Sequence, residues 1–159
     1  MVDLILAIKF VHVLSAAVMY GAWITVAGFM VLGYRAANPS VMALIAQFAV
    51  RIELFVIAGA IALQPVAGFP LAWAIGLNLL NEFWLYASLA LYVAVVAVWV
   101  VVVRVEIRLR NIARDAALKR APLADTYPRM FRIWFMLAAV FVAGMTMLML
   151  LMVWQPRLE

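Results

Sequence analysis

The sequence predicts an all-α integral membrane protein: a four-helix bundle whose third helix runs on past the bilayer as an amphipathic cytoplasmic extension. Hydrophobic residues make up 71 % of the 159, against about 45–50 % in soluble domains. Charged residues make up 12 %, about half the usual share. Four stretches, 10–34, 54–77, 83–103 and 133–154, contain no Asp, Glu, Lys or Arg. Each meets the length of about 20 residues that a helix needs to cross a hydrocarbon core of about 30 Å. A soluble domain of this size leaves too much of its chain at the boundary to hide so much apolar surface. An ordinary cytosolic enzyme and a disordered tail are thereby excluded. Cysteine is absent and histidine occurs once, which excludes disulfides, thiolate chemistry and a multi-histidine metal site within one chain.

The first span is expected over 4–34, with Lys9 inside it. Asp3 precedes Lys9, and the apolar run is too long for the core of a signal peptide, so it reads as a retained helix. Asn38-Pro39-Ser40 reads as a turn with Ser40 capping the next helix. Residues 41–50 are apolar, so that helix runs straight into the second span, 54–77. Arg51 and Glu53 then lie near the inner interface, each paired with some other group. Gln64-Pro65 and Gly68-Phe69-Pro70 interrupt the second span. They read either as a packing kink or as a break that opens space for a ligand. The third span, 83–103, continues into the extension, where Val105, Leu109, Ile112 and Ala116 form one stripe. Glu106 and Arg110 are favourably four apart, and Arg110 and Arg114 unfavourably so. Segment 104–120 is expected to lie on anionic headgroups or to dock a membrane or cytoplasmic protein partner. Ala121-Pro122 ends it, and Asp125 or Thr126 caps the fourth span, 131–154.

Arg104, Arg108, Arg110, Arg114, Lys119, Arg120, Arg129 and Arg132 all fall in the third connection, out of twelve basic residues in the chain. Arg35 and Arg51 fall in the first connection, and the second, 76–82, has none. The positive-inside rule places connections one and three in the cytoplasm and both termini outside, on the periplasmic side. The net charge of +5 is then a topology signal, and nucleic acid is not an expected partner.

Helix rise puts His12, Gln64, Ser88, Tyr92 and Met145 at comparable depths in the outer half of the bilayer. His12 is the sharpest of them, because an ionisable group inside a span is costly and imidazole is a common haem and metal ligand. Lys9, Ser15, Ala16, Met19 and Trp23 share its face. A haem would want this order, with propionates toward Lys9, iron at His12 and the ring against Ala16. A neutral histidine bonded to another helix fits the same residues. The methionines of the fourth span read first as flexible apolar filler.

Leu6-Ala-Ile-Lys-Phe-Val-His12-Val-Leu-Ser-Ala16, Leu63-Gln64-Pro65 with Gly68, Trp84-Leu85, Leu91-Tyr92, residues 129–134 and the closing Leu151-Met152-Val153-Trp154-Gln155-Pro156 resemble the bacterial membrane family called domain of unknown function 2269. That resemblance implies a four-helix protein of the bacterial inner membrane and brings no established activity. More distantly, the Lys-x-x-His start resembles the copper-resistance D-like superfamily, which includes the HemJ-type protoporphyrinogen oxidases, haem-binding membrane proteins. It implies a haem ligand at His12, although those relatives carry further histidines that this chain lacks. The expectation is therefore a homo-oligomer binding haem b through His12, in electron transfer or haem-linked redox chemistry. Lys9, Ala16, Gln64, Ser88, Tyr92 and Met145 would surround the group. A non-catalytic subunit or assembly factor, and a small transporter or channel element, are the alternatives. Whether the chain is an enzyme is left open by its sequence.

Overall fold

A computed structural model of the chain describes residues 2–77 and 82–156. Four helices are long and apolar enough to cross a membrane. Helix α1 spans Val2–Arg35. The second rod is built of α2 (Pro39–Ile52), one π-helical turn (Glu53–Ile57) and α3 (Ala58–Ala74). Helices α4 (Phe83–Lys119) and α5 (Thr126–Trp154) complete the bundle. The connection expected over 76–82 lies partly outside the described residues.

Each end has a local cause. Pro39 takes the first position of α2, where its missing N–H costs nothing. Asn38, not Ser40, is the cap: its side-chain oxygen accepts the N–H groups of Ser40 and Val41 at 2.9 and 3.4 Å. Asn38 stands before the proline in extended backbone, as a pre-proline residue prefers, and this leaves Ser40 already inside the helix. Asp125 occupies the cap position of α5 but its side chain makes no capping bond. Helix α4 closes when Arg120 turns to φ +49° and Ala121 N–H reaches the carbonyl of Ala116 at 3.0 Å.

The rods pack in sequence order. Helix α1 lies along α2 and α3, α2 along α4, and α4 along α5. Tyr34 of α1 stacks on Phe131 of α5 with centroids 4.1 Å apart, so the end of α1 and the start of α5 meet at one end of the bundle. The C-terminal end of α4 and the start of α2 lie there too, and with them most of the basic residues. Two glycines permit close crossings: a Cβ on Gly33 would stand 2.9 Å from Ile45 Cδ1, and one on Gly144 2.6 Å from Val95 Cγ2. Trp23, Trp134 and Phe141 are buried at the centre, whereas Phe55, Trp73, Val153 and Trp154 are 79–86 % exposed. That outward apolar surface needs lipid around it.

Proline does not break the second rod. Pro65 removes the N–H that would bond the carbonyl of Ile61, and Tyr92 Oη on α4 donates to that carbonyl at 2.6 Å. Helix α4 is 37 residues long, about 55 Å by its rise. The stripe along its far half is used within the chain. Leu109 and Ala116 are buried, and Val105 and Ile112 pack against the same core. The apolar stripe is thus covered by the chain's own helices, while Arg104, Arg108, Arg114 and Asp115 on the other flank are exposed.

Candidate functional site

His12 sits where α1 crosses α3. Its ring lies on Gly68, so closely that a Cβ there would be 3.1 Å from Cε1 and 3.5 Å from Nδ1. Nδ1 is buried with no hydrogen-bond partner among the described residues. Gln64, one turn before Gly68, locks the crossing. Its Nε2 donates to Ser15 Oγ at 2.9 Å and to the His12 carbonyl at 3.2 Å, and Ser15 Oγ donates to the same carbonyl at 2.9 Å. The face anticipated on α1 is the one turned inward: Ser15, Met19 and Trp23 are buried, with Lys9 exposed one turn earlier. Ala16 is partly buried. An apolar groove of about 280 Å³ runs along this helix pair, lined by Ile8 and Val11 on one side and Leu63, Ala67 and Pro70 on the other.

The structure joins Gln64 to His12 and gives the remaining candidates other partners. Tyr92 serves the Ile61 carbonyl. Ser88 Oγ donates to the Trp84 carbonyl, within its own helix, at 2.6 Å. Met145 is buried at a different level. Tyr20 Oη and Thr146 Oγ1 lie 3.0 Å apart, and Trp23 meets Phe141 at 4.7 Å between centroids. This antiparallel register sets Met145 beside Tyr20, about 12 Å along the axis from His12.

A second polar cluster escaped the sequence reading. Glu53 and Glu106 are fully buried at the α2–α4 seam, close enough for their charges to interact. Glu106 takes its partner from another helix instead of Arg110, and Glu53 likewise pairs across to another helix. Trp99 Nε1–H donates to Glu53 Oε2, and Trp134 Nε1–H donates to Glu106 Oε1 at 2.9 Å. The other oxygen of each, Glu53 Oε1 and Glu106 Oε2, has no partner among the described residues. A π-turn of the kind often found at functional sites starts at Glu53. The signal was present: Val102, Glu106, Leu109, Ala113 and Ala116, all buried, repeat at spacings of four and three. That register places a glutamate inside an apolar seam. Among the described residues no three His, Asp or Glu side chains gather as a metal site would require.

A family model described as "Predicted integral membrane protein (DUF2269)" matches residues 6–156, and the chain belongs to that family. No curated protein matches, and no solved structure matches.

Proposed function

We propose that this member of the family is a b-type haem protein of the bacterial inner membrane, acting in electron transfer or haem-linked redox chemistry with His12 as the iron ligand. The observation that supports it is the only imidazole of the chain, placed among apolar helices with a buried nitrogen that no described residue satisfies. A buried polar atom calls for a partner, as Trp23 Nε1, Glu53 Oε1 and Glu106 Oε2 also do here, and of these the neutral imidazole nitrogen is the one suited to haem iron. The distant likeness of the Lys-x-x-His start to haem-binding membrane proteins points the same way.

His12 would hold the iron, and Lys9, exposed one turn away, would meet a propionate. Gln64 and Ser15 fix the turn of α1 that carries the imidazole, and Gly68 lets the ring approach the backbone of α3. A bound haem would supply a one-electron couple tuned by its ligand and its surroundings. Met145 is too far along the bundle to share the iron with His12, so each chain offers one histidine. A six-coordinate site would take His12 from a second copy.

The test is an absorption spectrum of detergent-purified protein, oxidised and then reduced with dithionite. A Soret band and a sharp reduced α band are expected, lost in His12→Ala and unchanged in Met145→Leu. Gly68→Ala, which crowds Cε1, should shift or weaken them. A colourless preparation from haem-replete cells, or full haem retention by His12→Ala, would overturn the proposal and favour a non-catalytic membrane subunit.

A further inference from the structure

At the basic end of the bundle, α2 and α4 enclose a cleft of about 340 Å³ lined by Gln47, Arg51, Arg110 and Arg114. Each helix contributes two residues four apart, so both pairs point from one face into the same space. No carboxylate lines this cleft. Of the acids near it along the two helices, Glu53 and Glu106 are turned into the core and bonded to tryptophans, and Asp115, next to Arg114, is exposed outside the cleft lining. Three arginines therefore line one space with no carboxylate in its lining. Two are already steadied: Arg51 lies over the Phe48 ring at 6.0 Å, and Arg110 donates from Nε and Nη2 to Asn111 Oδ1 at 3.2 and 3.0 Å. The repulsion read in the sequence between Arg110 and Arg114 acquires a purpose if an anion sits between them.

We propose that this cleft binds a phosphate group, that of an anionic phospholipid headgroup at the membrane surface. Guanidinium forks match phosphate oxygens in pairs, and the Gln47 amide adds a neutral donor. The level suits a headgroup. Arg51 stands three residues before the charge-free run that starts at Leu54. Arg110 and Arg114 stand about 10 and 16 Å by helix rise past the end of the run that closes at Val103, with helical side chains tilted back toward it. The headgroup layer begins at those run ends and is about 5–8 Å deep, within reach of long side chains. Basic pockets between spanning helices are suited to such headgroups. The site is independent of the histidine seam, and its occupancy does not depend on haem.

The experiment uses the full chain in mild detergent. Native mass spectrometry measures retention of phosphatidylglycerol and cardiolipin against phosphatidylcholine, and a thermal-shift titration measures inorganic phosphate. Wild type should retain the anionic lipids at least tenfold better than Arg51→Gln/Arg110→Gln/Arg114→Gln. A control of equal charge change outside the cleft, Arg104→Gln/Arg108→Gln/Lys119→Gln, should retain them as wild type does. Gln47→Glu, which adds an acid to an otherwise intact cleft, should weaken retention without removing an arginine. Stabilisation by inorganic phosphate without selective lipid retention would keep the phosphate site and overturn the lipid as its source. Equal losses in the cleft variant and the control, or unchanged retention in the cleft variant, would overturn the site itself.

Discussion

A carboxyl oxygen inside a helix seam has to be used or neutralised, and Glu106 shows which of its properties the fold uses. Its Oε1 accepts the indole N–H of Trp134, a side chain with no exposed surface. Glu106→Gln keeps an acceptor for that N–H and removes a carboxyl that interacts with Glu53. It should leave the protein as stable as before or more so, because an unpaired buried charge is costly. Glu106→Leu fills similar space but strands the indole donor, at a cost of about 1–3 kcal/mol. Thermal unfolding in detergent, followed by tryptophan fluorescence, orders the two variants. Gln falling below Leu would show that the carboxyl itself is required. The sequence reading paired Glu106 with Arg110 because they are four apart on one helix. The partner that counts, Trp134, is 28 residues away on a helix whose register no local pattern specifies.

At the scale of elements, uninterrupted apolar runs made all four spans legible, since lipid imposes one requirement on every spanning residue. The join of α2 to the second span was legible for the same reason. What stayed hidden was decided by neighbours. The stripe of α4 is covered only once its neighbours are placed against it, and Pro65, read as either a kink or a break, stays inside a helix where Tyr92 donates to the freed carbonyl. Close crossings are equally invisible in one chain segment, yet they can be tested. Gly144→Ala would bring a Cβ within 2.6 Å of Val95 Cγ2, and a β-branched side chain on a helix has little rotamer freedom with which to yield. The expected loss is about 1–3 kcal/mol, with much of it recovered in Gly144→Ala/Val95→Ala. Gly21→Ala, where a Cβ meets nothing within 4 Å, should be neutral or slightly stabilising. Equal melting of the two single variants would remove the α4–α5 crossing as a tight contact.

For the whole molecule, polarity along the bundle axis is its most directional property. The stacking of Tyr34 on Phe131 brings the first and third connections to one end. That end holds Arg35, Arg51 and the eight basic residues from Arg104 to Arg132, leaving Lys9 for the other among the described residues. The candidate haem site was legible only in part: His12 and Gln64 do meet, through an interaction between helices at sequence separation 52. Depth arithmetic also gathered Met145 with them, whereas the register of α1 on α5 sets it at another level; Ser88 and Tyr92 make their hydrogen bonds to other groups. Orientation rests on firmer ground, since charge asymmetry acts during insertion and needs no packing detail. Connections one and three should face the cytoplasm, with both termini outside. A green fluorescent protein inserted in the 121–125 connection should fluoresce, and one fused after Glu159 should stay dark when exported through the same pathway. Alkaline phosphatase at the two positions should give the reverse. Replacing Arg104, Arg108, Arg110, Arg114 and Lys119 by glutamine should weaken or mix both patterns, because the retained charges no longer dominate one side. A bright fusion after Glu159 with a dark insertion at 121–125 would invert the molecule. The histidine seam would then face the cytoplasmic half of the bilayer and the arginine cleft the opposite leaflet.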